Sequence, residues 1–269
     1  MTRESISRRT GGARENSGFP QRRRETAGLI LAAGRGTRFG PGRGQEIPKV
    51  LQPLLGRPMV SYVIETLRSA GVDEIVLVVG YKAEAVVGTL GDRYAYVVQH
   101  EQQGSGHAVR CASERFEGFQ GSLVVMCGDS PLFRWQTVRA MLDAQKQTRA
   151  AVVLAAARLD DPTGYGRILR DEDGRVIAVL EEKCAGDRER AIKEVNGGAY
   201  VFEAFWLFAN INCMLRNQAG EYNLTDMVRV AAEQGRAVCS VPCDSEEILG
   251  VNTPDQLKEA EAVLVRRLS

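Results

Sequence analysis

With 269 residues, the chain is long enough for one large α/β domain or two smaller ones. Its 35 Lys and Arg residues nearly balance 34 Asp and Glu residues, and this formal net charge of +1 argues against general nucleic-acid binding. No apolar stretch of the sequence is long enough to span a membrane or forms a secretory signal, so we expect no membrane association and a cytoplasmic location.

The first 26 residues differ from the rest of the chain in composition. They contain seven Arg and three Glu residues but few large apolar side chains, which is typical of a disordered segment. We therefore predict a disordered, Arg-rich tail over residues 1–26 and one folded domain over residues 27–269. A solvated tail is the ordinary explanation of such a segment, and nucleic acid is not an expected partner.

Beyond the tail, apolar runs alternate with helical patterns, which indicates a mostly parallel sheet. Strands are predicted at residues 28–32, 74–79, 94–98, 123–127 and 151–157. Helices are predicted between them at residues 58–69, 82–90, 107–114 and 135–147.

The pattern changes after Pro162. Residues 167–170 and 175–181 flank Asp173-Gly174, a pair that predicts a hairpin. Further strands are predicted at 196–202 and 237–241, and further helices at 204–215, at 225–233 and from Thr253 onward, where Thr253 and Gln256 form a capping-box pattern. The predicted fold class is therefore α/β: a Rossmann-like, mostly parallel sheet with helices on both faces and an inserted antiparallel β subregion.

Two glycines and two cations follow the first predicted strand. Gly34 and Gly36 would let a phosphate approach the main chain, and Arg38 and Lys49 would neutralise its charge. The alternative is a flexible surface turn. Phe39 stands where a dinucleotide fingerprint needs its third glycine, and the sequence has no Gly-Lys pair for a P-loop, so both of those devices are excluded.

Asp129 directly follows the apolar run 123–127, at the end of a sheet strand where α/β proteins bind ligands. Its carboxylate and the amide oxygen of Asn252 are hard ligands that could hold Mg²⁺ against substrate phosphates. The alternatives are a turn-forming aspartate and an asparagine at the start of a helix.

Two further polar stretches are candidate binding loops. Gln99, Gln102, Gly104 and Ser105 lie between a strand and a helix, where amides and backbone donors could read a nucleobase, although a polar connecting loop is the alternative. Close backbone at Gly166, with Glu181 and Asn196, could bind the hydroxyls of a sugar, although solvated strand ends have the same pattern. We expect His107 to have a structural role.

Together these motifs resemble one family, the uridylyltransferase domain of bacterial N-acetylglucosamine-1-phosphate uridylyltransferases within the sugar nucleotidyltransferase superfamily. The resemblance extends from about Ala27 to Glu261. It is carried by Leu31-Ala32-Ala33-Gly34-Arg35-Gly36-Thr37-Arg38, Pro48-Lys49-Val50-Leu51, Gln102-Gln103-Gly104-Ser105-Gly106-His107, Gly128-Asp129-Ser130-Pro131, Gly164-Tyr165-Gly166-Arg167, Gly220-Glu221-Tyr222, Leu224-Thr225-Asp226 and Gly250-Val251-Asn252.

The resemblance implies a role for each matching residue. It implies catalytic roles for Arg38 and Lys49, a Mg²⁺ site at Asp129 and Asn252, and a sugar site at Gly166, Glu181, Asn196 and Asn252. The residues that it implies for the nucleotide are Leu31, Ala32, Ala33, Gly34, Gly36, Thr37, Gln99, Gln102, Gly104 and Ser105.

The resemblance also implies an activity. UTP and N-acetylglucosamine 1-phosphate would form UDP-N-acetylglucosamine and pyrophosphate, without the acetyltransferase activity of bifunctional relatives. Because Gly197 follows Asn196 where the family prefers threonine, a glucose-1-phosphate or broad-specificity uridylyl- or thymidylyltransferase is the alternative. A regulator that binds sugar nucleotides without catalysis is the alternative from another class. The sequence does not indicate an oligomeric state.

Overall fold

The computed structural model describes residues 25–39 and 47–268. Residues 1–24 of the predicted tail and the Pro41-Gly42-Arg43-Gly44 segment lie outside the described residues.

Within these residues the chain forms eleven strands, most of which belong to one sheet. The strands are β1 Thr26–Ala32, β2 Pro53–Leu54, β3 Arg57–Pro58, β4 Ile75–Val79, β5 Ala95–Val98, β6 Ser122–Cys127, β7 Val152–Arg158, β8 Arg167–Arg170, β9 Val176–Leu180, β10 Glu194–Glu203 and β11 Val238–Pro242. The α-helices are α1 Met59–Ser69, α2 Ala83–Leu90, α3 Ser105–Cys111, α4 Trp135–Thr148, α5 Asp187–Arg190, α6 Ala204–Asn210, α7 Asp226–Glu233 and α8 Pro254–Leu268. Short 3₁₀ helices cover Thr37–Phe39, Lys49–Leu51, Ser113–Phe116, Glu182–Cys184 and Ile211–Cys213.

The main sheet has the strand order β11-β7-β10-β6-β1-β4-β5. Strands β5, β4, β1 and β6 are parallel neighbours, and the register pairs Leu31 with both Val78 of β4 and Cys127 of β6. The chain moves from β1 outward through β4 to β5, and then returns to place β6 on the other side of β1. The topological switch point, where open α/β sheets bind ligands, therefore lies between β1 and β6.

Helices cover both faces of the sheet. Successive strand residues point to opposite faces, so Leu29 belongs to a buried cluster with α3, α6 and α7, and Ile30 belongs to one with α1, α2 and α4. Burying one such side chain contributes about 1.5–3 kcal/mol, which explains why β1, β4 and β6 are apolar nearly throughout. The predicted fold class and the positions of the five N-terminal strands agree with this arrangement.

An antiparallel region interrupts the parallel sheet. β8 and β9 form the predicted hairpin around Gly174, whose φ of +77° is one that glycine adopts easily. β10 runs antiparallel to both β6 and β7, and its register with β7 shifts between Asn196 and Tyr200. The first half of β10 pairs with β7 and, at Val195, with Arg167 of the hairpin, whereas residues 199–203 pair with β6.

Two predicted helices have different bounds in the structure. The helix predicted at 107–114 begins earlier, at Ser105, because Gly104 ends the preceding loop with a φ of +96°, and it gives way to a 3₁₀ turn after Cys111. The helix predicted at 204–215 ends at Asn210, whose side-chain amide donates a hydrogen bond to the Trp206 carbonyl at 2.8 Å. That side chain supplies a donor to a carbonyl of the last helical turn.

Among the residues described, no helix is both long enough and apolar enough to cross a membrane.

Candidate functional site

The loop after β1 lies at the switch point of the sheet. At Gly34, a Cβ would meet no heavy atom within 4 Å, so the space next to its backbone is open. Gly36 has a φ of +64°, and a Cβ there would lie 2.8 Å from the Lys49 Cβ. Gly36 therefore lets the loop lie directly against Lys49. The backbone at Gly34 faces open space, and its contact with a phosphate stays a prediction.

A cation and two oxygen-bearing side chains meet beside this loop. Lys49 Nζ contacts the Asp129 carboxylate and donates a hydrogen bond to Asn252 Oδ1 at 3.0 Å. Arg38 donates to the same Asn252 oxygen at 2.7 Å. The structure thus brings together the four residues predicted for catalysis and for the metal, although they come from three distant parts of the chain.

A backbone hydrogen bond fixes two segments of this cluster relative to each other. Asp129 follows β6, and its carbonyl accepts a hydrogen bond from the Val251 N–H at 2.8 Å, which joins the two segments that carry Asp129 and Asn252. The side chains of Lys49 and Asp129 are only 14% and 16% exposed. An ion pair so shielded from solvent is screened less by salt than one on the surface, so salt should weaken the attraction between Lys49 and Asp129 only slightly.

The side-chain oxygens of Asp129 and Asn252 are of the kind that would suit a divalent cation such as Mg²⁺. A carboxylate and a carboxamide oxygen that share Lys49 as a partner lie close enough to face one ion, and Mg²⁺ prefers such hard ligands. The described residues contain no group of three or more His, Cys, Asp or Glu side chains placed to hold a metal. A site here would therefore depend on oxygens from the substrate and from water, as Mg²⁺ sites at phosphates commonly do.

The glutamine loop lies next to the loop after β1. Gln102 accepts a hydrogen bond from Arg35 Nε at 3.4 Å and donates to the Gln99 carbonyl at 3.2 Å. A Cβ on Gly80 would lie 2.9 Å from both the Ala33 Cβ and the Gln102 amide nitrogen. Gln102, one of the residues predicted for the base, therefore lies next to the predicted phosphate loop.

Gln99 and Ser105 are committed to protein contacts. The Gln99 amide nitrogen donates to the Gly104 carbonyl at 3.2 Å and lies 2.9 Å from His107 Nδ1, while Ser105 Oγ accepts from the Leu224 N–H at 3.0 Å. These two side chains shape the loop. Burial, followed by the charge of Arg110, lowers the pKa of His107, so the neutral ring that Gln99 contacts is favoured and the predicted structural role of His107 is supported.

Three of the four residues predicted for the sugar, Gly166, Glu181 and Asn196, are also neighbours, whereas the fourth, Asn252, belongs to the cluster with Lys49 and Asp129. The Asn196 N–H donates to the Gly166 carbonyl at 2.9 Å, and a Cβ on Gly166 would lie 3.8 Å from a Glu181 carboxylate oxygen. Glu181 accepts a hydrogen bond from Thr225 Oγ1 at 2.9 Å. Since Thr225 follows Leu224, this contact connects the predicted sugar group to the glutamine loop.

Sequence reasoning missed several side chains that support these groups. Tyr200 is buried beneath Asn196 and accepts a hydrogen bond from its amide at 2.6 Å, and burial, followed by the charge of Glu181, raises the pKa of Tyr200 well above its usual value. Glu182 accepts from the Gly164 N–H at 2.6 Å and lies 3.5 Å from the buried Arg167. The Gly-Tyr-Gly-Arg motif was a signal for Arg167, but no local pattern indicated Tyr200.

Gln256 was identified from sequence only as part of a helix cap. Its side-chain oxygen accepts a hydrogen bond from the Asn252 N–H at 2.9 Å. Gln256 therefore caps α8 and also contacts the backbone of Asn252 in the candidate site.

Comparisons with known proteins show the family to which the chain belongs. A family model described as the MobA-like NTP transferase domain matches residues 28–195. The chain is 44% identical over 248 residues to "Bifunctional protein GlmU" of Pelobacter propionicus, an alignment that covers 90% of this chain and 53% of that protein. It is 42% identical over 245 residues to the protein of the same name from Exiguobacterium sp., with coverage of 90% and 53%. The chain thus spans about half the length of these curated relatives, and they confirm the resemblance indicated by the motifs.

A solved structure has the same fold. It is described as a glucose-1-phosphate thymidylyltransferase from Bacillus anthracis in complex with sucrose, and it superimposes with a TM-score of 0.73 at 20% sequence identity. The match covers 88% of this chain and 94% of that one. This likeness confirms the predicted fold class.

Proposed function

Because the chain belongs to the MobA-like NTP transferase domain family, we propose that it transfers the uridylyl group of UTP to N-acetylglucosamine 1-phosphate, forming UDP-N-acetylglucosamine and pyrophosphate. The observation that carries this proposal is the meeting of Lys49, Asp129 and Asn252 at the switch point of the sheet. Lys49 would neutralise charge on a triphosphate, and the oxygens of Asp129 and Asn252 would hold its metal. The backbone of the loop after β1 is accessible next to them. The sequence similarity to "Bifunctional protein GlmU" supports this choice of substrates.

The proposed reaction is an in-line displacement. An oxygen of the sugar phosphate forms a bond to the α-phosphorus of UTP, and the bond from this phosphorus to the bridging oxygen breaks. Pyrophosphate leaves with the electron pair of that bond. A phosphomonoester has a second pKa of about 6, so the attacking group is mostly dianionic near neutral pH and needs no general base.

The residues of the site would supply position and positive charge. Arg38 and Lys49 would leave Asn252 and Asp129, contact the phosphate oxygens, and stabilise the charge that develops on the leaving pyrophosphate. Groups held in place in this way can account for most of the rate of phosphoryl transfer. His107, being engaged by Gln99, is not needed as a base.

Asp129 and Asn252 are the residues that would hold Mg²⁺. A bound Mg²⁺ would neutralise phosphate charge and orient the triphosphate. This assignment rests on the hard-oxygen donor set described above.

The two loops on either side of the cluster would select the substrates. Gln102 has the carboxamide donor and acceptor that a uracil edge requires, and it lies next to Arg35 of the loop after β1. Glu181 has a carboxylate acceptor suited to a sugar hydroxyl and lies against Gly166. The six cysteines, none of which forms a disulfide, favour a reducing compartment, and we place the reaction in the cytoplasm.

A substrate panel tests the proposal. Purified protein is incubated with UTP or dTTP, with N-acetylglucosamine 1-phosphate or glucose 1-phosphate, and with Mg²⁺ or EDTA, while pyrophosphate release is measured. We expect the fastest release from UTP with N-acetylglucosamine 1-phosphate, and none with EDTA. Faster release with glucose 1-phosphate or dTTP would favour the broader sugar-phosphate alternative. UTP binding without any pyrophosphate release would favour the non-catalytic regulator.

Charge-removing variants test the roles within the site. Lys49→Ala and Arg38→Ala should each reduce kcat about 100-fold or more, as removal of one electrostatic contact to a transition state commonly does. Lys193→Ala serves as the matched control, because Lys193 is an exposed cation paired with Asp160, and it should keep wild-type turnover. If Lys49→Ala or Arg38→Ala kept wild-type turnover, the role of that residue would be wrong.

A further inference from the structure

Asn252 contacts both cations of the proposed site. Its carboxamide oxygen accepts from both Arg38 and Lys49, at 2.7 and 3.0 Å, and its amide nitrogen donates to the Gly250 carbonyl at 3.3 Å. Asn252 lies in a loop between Val251 and the start of α8, not within a helix or strand. The position of its side chain therefore depends on what holds the backbone at this point.

The backbone at Asn252 is held by the side chain of Gln256, in the first turn of α8. Gln256 Oε1 accepts the Asn252 N–H at 2.9 Å, and the Gln256 N–H donates to Thr253 Oγ1 at 3.2 Å. In an ordinary capping box the third residue of the helix accepts the N–H of the capping residue itself. Here its side chain reaches one residue further, so the same glutamine caps the helix and fixes Asn252.

The helix that carries Gln256 is itself firmly placed. Ala260 and Val263 of α8 are buried against Leu54, Met59 and Leu132. On the other side of Asn252, Val251 donates to the Asp129 carbonyl at 2.8 Å. Asn252 is thus held between a rigid helix and the segment that bears the second oxygen ligand.

We propose that Gln256 is a positioning residue that sets the carboxamide of Asn252 for metal binding. This inference rests on the proposed function, because Asn252 is a metal ligand only if that function is correct. Groups that orient metal ligands without touching the metal typically change metal affinity 10- to 100-fold when they are removed. Loss of the Gln256 acceptor leaves the Asn252 N–H without its protein partner and lets the carboxamide turn away.

The test uses three variants of the full chain and Mn²⁺ as the probe. Gln256→Leu removes the acceptor, and Gln256→Glu keeps one. Thr253→Ala removes the hydroxyl that bonds the Gln256 N–H at 3.2 Å and Gln256 Oε1 at 3.4 Å, but it keeps the Gln256 oxygen that accepts the Asn252 N–H. Mn²⁺ binding in the presence of UTP is measured by electron paramagnetic resonance of the free ion. We expect Gln256→Leu to weaken Mn²⁺ binding at least tenfold and the other two variants to stay within about threefold of wild type.

A second measurement does not depend on function. Hydrogen exchange of the Asn252 amide, followed by NMR in the free protein, should speed up at least tenfold in Gln256→Leu but not in Gln256→Glu. Urea denaturation confirms that each variant is folded. Unchanged Mn²⁺ binding in folded Gln256→Leu, or an equal loss in Thr253→Ala, would overturn the proposal. If the wild type released no pyrophosphate from any nucleotide and sugar phosphate of the substrate panel with Mg²⁺ present, the proposed function would fail instead.

Discussion

Replacement of Gly104 by alanine should destabilise the protein through one specific backbone contact. Gly104 has φ of +96° and ψ of 174°, a combination that is almost restricted to glycine. A Cβ at this position would lie 2.5 Å from the Tyr222 carbonyl oxygen and 3.0 Å from the Tyr222 nitrogen. Both of these atoms are fixed by hydrogen bonds. The Tyr222 N–H donates to the Gln103 carbonyl, and the Tyr222 carbonyl accepts from the Gly106 N–H, each at 2.8 Å.

Gly91 provides a control with the same backbone strain. It has φ of +81° and ψ of −168°, but a Cβ there would meet nothing within 4 Å. Alanine in this backbone region costs about 1–3 kcal/mol at either position. Overpacking against atoms that cannot move adds about 1–3 kcal/mol more, and this addition applies to Gly104 alone. We therefore expect a loss of about 2 kcal/mol for Gly91→Ala and about 4 kcal/mol for Gly104→Ala.

Urea denaturation gives the free energy of unfolding of both variants, and isothermal titration calorimetry with UTP and Mg²⁺ shows the effect on the glutamine loop. Gly104→Ala should weaken UTP binding, since it displaces the loop that contains Gln102, whereas Gly91→Ala should bind UTP like the wild type. Equal losses of stability in the two variants would refute the reasoning. The segment around Tyr222 would then not lie against the glutamine loop in solution.

Two further predictions concern buried groups. Glu182→Gln should cost about 3 kcal/mol in urea denaturation at pH 7, because Arg167, which is 1% exposed, loses its ion-pair partner. Arg167→Met should cost less, because the 30% exposed Glu182 side chain can be solvated, and a larger loss in Arg167→Met would contradict this. Burial raises the pKa of the Cys127 thiol to about 12, so it stays protonated and unreactive at pH 7.5. Iodoacetamide should therefore label the exposed Cys184 and Cys213 first, and peptide mass spectrometry measures this order. Early labelling of Cys127 would contradict the prediction, because it would show that this thiol is accessible and ionised.

Much of the fold follows from local patterns in the sequence. The strand Ile75–Val79 is predictable because a short run that is apolar throughout belongs in a sheet covered on both faces. The start of α8 is predictable because Thr253, Pro254 and Gln256 each satisfy a requirement of the first turn. Asp129 was found because a carboxylate after such a strand must lie at the ligand-binding edge.

The rest depends on contacts between distant residues. An apolar strand pattern does not distinguish the two strand directions, so the antiparallel run of β10 could not be predicted from it. Arg38 meets Asn252 across 214 positions of sequence, and residues 222–224 cross the glutamine loop. The helix predicted at 204–215 was too long because its apolar composition continues past Asn210, where residues 211–213 form a 3₁₀ helix instead.

The antiparallel strand β10 also has a consequence for how the chain folds during synthesis. β1, β4, β5 and β6 can pair as soon as they have been made, but the free edge of β6 has no partner until residues 194–203 arrive. At about 5–20 residues per second, this edge stays open for roughly 4–15 s on the ribosome. Because an unpaired apolar edge strand is a template for aggregation, the nascent chain is most vulnerable in this interval, and chaperones that bind extended apolar segments should act on it there.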